Sequence, residues 1–402
     1  MDLFNYDNQD KELYNQVLLG DNLRVMNTLS LNCIDFIYID PPYNTNNKFS
    51  YNDSNKIWAD DISERIRIAK KLLKDKGVIC ISIDDNELVT LLNICFNIFG
   101  KENYVGIFIT HQSQRSNAKY INIIHEYVVV FAKNKNLLNN FYIKRLSSPD
   151  DKEMIKSIIT KVKNAFLRDR NTAQNILKNL LNQYAISRNI TWIKNYTNID
   201  EEGRIFFAKD LSTPGQPAPL SIDEINLYLP ALKTRRWSTK EKFIYLYKQN
   251  RLCFKKGRPY EKQYLEEAVD NIPSILNFYS RQGTNDLKKL GLYGYFDTPK
   301  PVELIKFLIR AMMHQDATIL DFYAGSGTTA QAVYEINQED KINHRFILIQ
   351  SKEPVAPTSD VYKKLTQVGY VNPSVSDILI LRLHRYLKIH NLPIDFEIKE
   401  YE

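Results

Sequence analysis

Asp40-Pro41-Pro42-Tyr43 places a carboxylate, a proline pair and an aromatic ring within four positions. The string follows the apolar, β-branched run 34–39, which predicts a buried parallel strand that the two prolines end. Proline fixes φ, so the Asp40 carboxylate, the Pro41 carbonyl and the Tyr43 ring can be held together at the carboxyl end of this strand. These groups suit a planar base with an exocyclic amine, which donates two hydrogen bonds while its ring stacks. A solvated turn after a core strand is the alternative that this string leaves open.

A second motif lies near the other end of the chain. Residues 318–329, Thr-Ile-Leu-Asp-Phe-Tyr-Ala-Gly-Ser-Gly-Thr-Thr, predict a strand, a glycine turn and the start of a helix. The turn also satisfies a relaxed dinucleotide-binding fingerprint, which requires an acidic residue about 20 positions further on. Position 350 is glutamine, and a nicotinamide enzyme gives the Asp40 string no role. These two facts disfavour the dinucleotide alternative.

The two motifs together resemble the S-adenosylmethionine-dependent amino-methyltransferases of DNA. The order, with the amine-binding loop first and the cofactor loop last, is that of their β class. More narrowly, the chain resembles the Mod subunits of type III restriction-modification systems. The matching strings are Leu19-Gly20-Asp21-Asn22-Leu23, Asp40 to Thr45, Ile83-Asp84-Asp85-Asn86-Glu87, His125-Glu126-Tyr127, Thr298-Pro299-Lys300-Pro301 and Arg345 to Gln350.

The resemblance implies site-specific transfer of a methyl group to the N6 amine of an adenine flipped out of duplex DNA. The amine-binding residues it implies are Asp40, Pro41, Pro42 and Tyr43. Asp321 would hold the ammonium group of the cofactor, and Thr328 or Thr329 its carboxylate, while Asp21 would lie near its adenine or simply cap a helix. The full set of cofactor-binding candidates is Asp21, Thr298, Lys300, Asp321, Phe322, Tyr323, Ala324, Gly325, Ser326, Gly327, Thr328, Thr329 and Gln350.

Other activities are weighed against this one. Cytosine-C5 methylation needs a nucleophilic cysteine, which in that family usually follows a proline, and none of Cys33, Cys80, Cys95 and Cys253 does. Cytosine-N4 methylation needs the same amine contacts, although in the family an aspartate at the first position of the loop favours adenine. A DNA-specificity subunit without catalytic activity is the alternative that is not an enzyme.

Composition is that of a soluble globular protein. The 402 residues are 44% hydrophobic and 25% charged, with a net charge of +7 that fits a polyanionic partner. The sequence shows no apolar run long enough for a membrane span, no secretory signal and no metal-ligand spacing, and its scattered cysteines indicate reduced packing residues. We therefore expect a cytoplasmic protein without a metal.

The fold class predicted is α/β, a Rossmann-like S-adenosylmethionine-dependent methyltransferase fold with a circularly permuted, seven-stranded, mostly parallel sheet built from both ends of the chain. Residues 1–145 would form the catalytic half and residues 291–360 the cofactor-binding half. The lysine-rich stretch 146–290 would be a target-recognition insertion. Residues 361–402 would form a C-terminal segment with no obvious chemistry.

Basic runs interleaved with aromatic residues predict contacts to double-stranded DNA. A solvated lysine-rich surface is the alternative for the runs in the insertion. The candidates are Arg115 and Lys119 in the polar segment 112–119, and Arg235, Arg236, Trp237, Lys255, Lys256 and Arg258 in the insertion. The resemblance also leaves open a restriction (Res) subunit as a partner and a homodimer as the assembly.

Overall fold

The structure is a computed structural model that describes residues 15–45, 57–111, 120–146 and 149–401. The described chain divides into two compact units. The larger unit joins the two ends of the chain, up to Ile143 and from Asn271 onward, and Lys144–Asp270 forms the insertion. The sequence predicted an insertion over residues 146–290, but residues 271–290 pack with the larger unit because they carry its edge strand and a helix.

The first segment of the larger unit alternates strands and helices. Its elements are β1 (Asn15–Leu19), α1 (Asn22–Met26), β2 (Ile34–Ile39), α2 (Trp58–Leu72), β3 (Leu73–Ile83), α3 (Leu88–Phe99), β4 (Tyr104–His111) and β5 (His125–Ala132). Pro41 and Pro42 follow β2 directly, and Gly100 ends α3 with φ of 89°.

The insertion pairs two helices with short antiparallel strands. Its elements, beginning at the boundary, are β6 (Ile143–Lys144), α4 (Pro149–Phe166), α5 (Arg170–Ser187), β7 (Asn198–Ile199), β8 (Ile205–Asp210), β9 (Ser212–Pro214), β10 (Leu220–Ile222), β11 (Leu227–Leu229), β12 (Arg235–Trp237), α6 (Lys240–Lys248), β13 (Leu252–Lys255), β14 (Arg258–Tyr264) and β15 (Val269–Asp270). One apolar cluster packs α4 against α5, and another packs β10, β11 and β12 against α6.

The second segment returns the chain to the larger unit. Its elements are β16 (Ile275–Tyr279), α7 (Arg281–Lys289), α8 (Val302–Met312), β17 (Thr318–Asp321), α9 (Thr328–Asp340), β18 (Arg345–Gln350), α10 (Asp360–Gln367), α11 (Val375–Ile389) and β19 (Phe396–Glu400). No described helix combines the length and the apolar composition that crossing a bilayer requires.

Nine of the described strands form one sheet, in the order β16-β4-β5-β3-β2-β17-β18-β1-β19. Every neighbouring pair is parallel except those of β5, which runs antiparallel to both β3 and β4. The α/β fold class predicted from the sequence is confirmed. The predicted count of seven strands is wrong, because β16 and β19 extend the two edges.

Helices cover both faces of this sheet. Apolar residues of α2 and α3 pack on one face, whereas those of α8, α9 and α11 pack on the other. A parallel sheet covered in this way buries its strands on both sides, so only the strand ends are accessible to a ligand.

A buried lysine joins two of these helices. Lys306 on α8 is 3% exposed, and its ammonium group contacts Glu303 at 2.8 Å, Glu335 at 2.9 Å and Glu339 at 2.8 Å. Because the last two carboxylates belong to α9, the ion pairs fix α8 against the helix that follows the glycine turn.

Replacing this lysine should therefore destabilise the larger unit. We expect Lys306→Met to lower the free energy of unfolding by about 1–3 kcal/mol, since the partly buried carboxylate of Glu335 loses its cation, although Glu339 keeps its ion pair with Arg310. Lys363→Met is the matched control, because Lys363 pairs with Asp360 on the surface and its loss should cost about 0.5 kcal/mol or less. Urea denaturation of both variants measures the difference, and equal midpoints would contradict the assignment.

Candidate active site

The two motifs singled out in the sequence lie side by side at the carboxyl ends of two neighbouring strands in the middle of the sheet. β2 and β17 are parallel neighbours, with Phe36 opposite Ile319 and Ile37 opposite Leu320. Asp40 therefore leaves β2 beside the point where Asp321 ends β17 and the glycine turn begins. This juxtaposition follows from strand pairing between segments from the two ends of the chain.

A cavity of about 640 Å³ opens at these strand ends. The predicted residues that line it are Asp21, Asp40, Pro41, Pro42, Tyr43, Thr298, Lys300, Asp321, Phe322, Tyr323, Ala324, Gly325, Ser326, Thr328, Thr329 and Gln350. Gly327 is the predicted residue that lies behind the wall, where its α carbon faces Leu379 of α11. Its φ of 83° lets the chain enter α9.

Lys300 is the charged centre of the part of the cavity around Asp40. Its ammonium group lies 2.6 Å from the Tyr43 hydroxyl, 2.7 Å from a carboxylate oxygen of Glu126 and 3.2 Å from a carboxylate oxygen of Asp40. The Tyr43 hydroxyl donates a hydrogen bond of 2.7 Å to Asp40. The sequence grouped Lys300 with the cofactor, whereas in the structure its ammonium group contacts Asp40 and Tyr43 of the Asp40 loop.

The pKa directions in this cluster follow from burial and charge. Burial raises the pKa of Asp40, and the Lys300 cation opposes that rise only in part because Glu126 adds a second negative charge. Burial opposes the charge of Lys300, but the Asp40 and Glu126 carboxylates outweigh it and raise the pKa of the ammonium group. Lys300 therefore stays cationic and holds the Asp40 carboxylate ready to accept hydrogen bonds.

A hydrogen bond from a tryptophan side chain fixes the Asp40 loop. The indole N–H of Trp58, at the start of α2, donates a hydrogen bond of 2.7 Å to the carbonyl of Pro42. The two prolines and this bond leave the loop little conformational freedom.

The glycine turn has a geometry that only glycine adopts without strain. Gly325 has φ of 52°, and a β carbon there would lie 3.3 Å from the Phe296 ring. Its N–H donates a hydrogen bond of 2.8 Å to the side-chain oxygen of Gln350. The turn thus leaves room beside its backbone and leads into the N-terminus of the 13-residue helix α9.

Asp321 is a buried acid beneath this turn and is 3% exposed. One carboxylate oxygen accepts the N–H of Tyr323 at 3.1 Å, and the other accepts the hydroxyl of Thr329 at 2.6 Å. Burial raises the pKa of Asp321 to about 7, and the nearby charge of Asp40 adds to the rise.

Asp21 caps a helix, which is one of the two interpretations that the sequence left open, and its place near the cofactor's adenine stays a prediction. Its side chain caps α1 by accepting the N–H of Arg24 at 3.0 Å, and it also lines the cavity. Arg65 of α2 reaches the same carboxylate at 3.3 Å, while Asn22 donates to the carbonyl of Phe322 at 2.8 Å. The wall at this end therefore ties α1, α2 and the glycine turn together.

Several residues of the site were not predicted from the sequence. Glu126 is the second residue of β5, and because β5 runs antiparallel to β3, its first residues lie beside the carboxyl ends of the parallel strands. The string His125-Glu126-Tyr127 was recognised, but a role for Glu126 required that strand direction. Arg65, Trp58 and Phe296 also line the cavity and lie in stretches without a distinctive motif.

The basic residues predicted to contact DNA fall into different environments. Arg115 and Lys119 lie outside the described residues. Arg236, Lys255 and Lys256 are exposed, and the two lysines form the tip of the β13–β14 hairpin, where Lys256 and Gly257 have positive φ.

The other side chains of the insertion that were predicted to contact DNA form bonds to other residues of the insertion instead. Trp237 is 8% exposed, and its indole N–H donates to the carbonyl of Pro230 at 2.9 Å. Arg235 donates to the carbonyl of Ser212 at 2.6 Å, and Arg258 forms an ion pair of 2.7 Å with Asp210. The prediction of base readout by Trp237 is therefore corrected, because this side chain packs in the core of the insertion.

The raised pKa of Asp321 makes a prediction about stability. Between the usual aspartate value of 3.8 and about 7, the folded protein holds a proton that the unfolded chain has released. The contribution of Asp321 to the free energy of unfolding therefore falls as pH rises through this range. Relative to Asp321→Asn, the wild type should lose stability between about pH 4 and pH 7, measured by urea denaturation. A difference that does not vary with pH would contradict this assignment.

Comparison with known proteins agrees with the geometry. A family model described as DNA methylase, of the N6/N4 methyltransferase type, matches residues 34–359. The chain is 26% identical to the EcoP15I Mod subunit of a type III restriction-modification enzyme from Escherichia coli, covering 98% of this chain and 68% of that protein. It is 31% identical to the type II methyltransferase M.KpnI from Klebsiella pneumoniae, covering 96% of this chain and 90% of that protein. It is 29% identical to the EcoPI Mod subunit from Escherichia phage P1, covering 96% of this chain and 64% of that protein.

The residues present also fit the methyl donor of this family. The glycine turn offers room beside its backbone, Asp321 offers a carboxylate for an ammonium group, and the N-terminus of α9 offers donors for a carboxylate. Within the described residues, no cluster of three or more His, Cys, Asp or Glu side chains could ligate a metal ion. The chain belongs to the N6/N4 DNA methylase family and is an S-adenosylmethionine-dependent DNA methyltransferase.

Proposed function

We propose that the chain methylates the N6 amine of an adenine that is flipped out of duplex DNA at a specific sequence. The observation that carries this proposal is that the Asp40 loop and the glycine turn line one cavity. An amine bound at Asp40 and a methyl donor bound at Gly325 would therefore meet without water between them.

Asp40 and its neighbours have the chemistry to activate an aromatic amine. The N6 lone pair is delocalised into the adenine ring, so the amine alone is a poor nucleophile. Hydrogen bonds from its two hydrogens to the Asp40 carboxylate and the Pro41 carbonyl would favour a pyramidal nitrogen with a free lone pair. The ring of Tyr43 would stack on the flipped base, and Lys300 lies 4.9 Å from the centre of that ring.

The proton balance of the reaction also involves Asp40. The bound cofactor supplies a methyl group on a positively charged sulfur. As the N6–methyl bond forms, the amine becomes cationic and must release one proton. Asp40 is suited to receive it, because burial raises the pKa of its carboxyl group.

Lys300 and Glu126 would set the charge and orientation of Asp40 rather than bind the cofactor. The ammonium group of Lys300 keeps the Asp40 carboxylate ionised before the base enters, and Glu126 shares this cation. The Tyr43 hydroxyl fixes the carboxylate orientation. The amine would then meet a preorganised acceptor, which costs little reorganisation at the moment of reaction.

Cytosine-N4 methylation remains the alternative reaction, because a cytosine amine makes the same two hydrogen bonds. Asp40 at the first position of the loop is the observation that favours adenine. A DNA-binding subunit without activity is disfavoured, because both the amine acceptors and the cofactor wall are complete.

We further propose that the insertion recognises the DNA sequence and that the chain acts in the cytoplasm within a restriction-modification system. The Mod subunits among its relatives support that setting. A restriction subunit as partner and a homodimer as assembly belong to the same proposal.

Substitution of Asp40 tests the proposed reaction. We expect Asp40→Ala to lower methyl transfer by roughly 10²- to 10³-fold or more, since it removes the amine acceptor, while DNA binding is retained. The measurement uses labelled S-adenosylmethionine and unmethylated DNA, followed by digestion to nucleosides. Asp75→Ala is the matched control, because Asp75 is 73% exposed and contacts Lys133 on the surface. Label in N4-methyl-2′-deoxycytidine, or full activity of Asp40→Ala, would refute the proposal.

The exposed lysines of the insertion predict a change in the salt dependence of DNA binding. Lys255→Gln with Lys256→Gln should lower the slope of log affinity against log salt by about 1 for each lost phosphate contact. Lys178→Gln with Lys194→Gln is the control, since both lysines are exposed elsewhere in the insertion. Fluorescence anisotropy over a salt series measures both slopes. An unchanged slope for the hairpin variant would place the DNA elsewhere.

A further inference from the structure

A buried arginine lies behind the glycine turn. Arg382 on α11 is 0% exposed. Its guanidinium donates to the hydroxyl oxygen of Ser326 at 2.9 Å, to that of Thr328 at 2.8 Å and to the side-chain oxygen of Gln331 at 3.0 Å. Its second terminal nitrogen, Nη2, is buried and has no hydrogen-bond partner among the described residues. The guanidinium therefore supports the first turn of α9, and the two N–H groups of Nη2 are left without an acceptor.

The charge of this arginine is not neutralised by a contacting carboxylate. Its hydrogen-bond acceptors within the described chain are uncharged oxygens, and the acids that act on it, Asp286 and Glu335, do so from a distance. Burial lowers the pKa of Arg382 to about 10, so the guanidinium is still cationic at neutral pH. A buried cation without a counter-ion is costly, and a bound anion would offset that cost.

The hydrogen bonds of Arg382 also fix what the two hydroxyl groups can do. An arginine can only donate, so the oxygens of Ser326 and Thr328 act as acceptors towards it. Each hydroxyl hydrogen is then free to donate, and both residues line the cavity. Thr329 differs, because its hydroxyl donates to Asp321. Ser326 and Thr328, rather than Thr329, are thus prepared to donate to an anion in the cavity.

We propose that Arg382 is a positioning residue for the carboxylate of the methionine part of the cofactor. It orients the Ser326 and Thr328 hydroxyls towards that carboxylate and supplies the positive charge that the N-terminus of α9 supplies only in part. The inference rests on the proposed placement of the cofactor at the glycine turn. It gives residues 361–402, which showed no chemistry in the sequence, a part in binding the methyl donor.

Two ligands that differ at one end test this role. S-adenosylhomocysteine carries the amino-acid end, whereas 5′-methylthioadenosine lacks it. We expect Arg382→Gln to weaken the binding of S-adenosylhomocysteine by roughly tenfold to a hundredfold, since a charge-assisted contact is lost. Its affinity for 5′-methylthioadenosine should change by less than about twofold, because that ligand has no carboxylate to lose. Arg382→Lys should recover part of the loss. Isothermal titration calorimetry on the full chain measures each affinity.

Matched variants separate the possible failures. Arg385→Gln, on the same helix, should leave both affinities unchanged, because Arg385 donates to the carbonyl of Leu290 instead. An equal loss for both ligands in Arg382→Gln, or no loss for either, would overturn the proposal. If Arg382→Gln does not fold, Ser326→Ala with Thr328→Val carries the test and should show the same selective loss. Unchanged binding of both ligands by Gly325→Val would instead refute the placement of the cofactor.

Discussion

The pairing of β2 with β17 is the constraint on which the rest of the site depends. These strands come from opposite ends of the chain, yet they are parallel neighbours at the centre of the sheet. Asp40 and the glycine turn follow the carboxyl ends of these strands, so both line the same cavity. The insertion lies between β2 and β17 along the chain, and it begins after β5 and ends before β16, so it interrupts neither loop.

Charge is placed differently at the two ends of the cavity. Around Asp40, the cation of Lys300 balances carboxylates that would otherwise repel each other. Behind the glycine turn, Arg382 is buried against uncharged oxygens, and the acid beneath the turn, Asp321, has its pKa raised by burial. The first end is neutralised by the protein's own charges, whereas the proposed ligand would bring both an ammonium and a carboxylate group to the second end. This contrast agrees with an amine bound at one end and an amino-acid moiety bound at the other.

The sequence predicted those parts of the site that are encoded locally. Pro41 and Pro42 mark the end of β2, and Gly325 and Gly327 mark a turn that needs positive φ, so both loops were recognisable without coordinates. The edge strand β19 was missed because its charged residues Glu397 and Lys399 do not form an apolar run. Glu126 and Arg382 were missed because their roles depend on strand direction and on packing between distant segments.

Trp237 shows the limit of interpretation from composition. It lies among arginines and lysines, which indicated a surface for DNA. In the structure β12 pairs with β9, and alternation along the strand puts Arg235 and Trp237 on one side and Arg236 on the other. Only the Arg236 side is exposed. A strand prediction over 235–237 would have separated these residues, but three residues are too few to give a periodic signal.

Binding of a bisubstrate ligand tests the central claim most directly. Such a ligand joins the N6 atom of adenosine through a short carbon chain to the methyl position of a cofactor analogue. If the amine and the methyl donor share one cavity, it should bind more tightly than S-adenosylhomocysteine. Asp40→Ala and Gly325→Val should each weaken it, whereas Gly106→Val should not, because a β carbon at Gly106 meets no atom within 4 Å. Affinity equal to that of S-adenosylhomocysteine, unaffected by Asp40→Ala, would contradict the account.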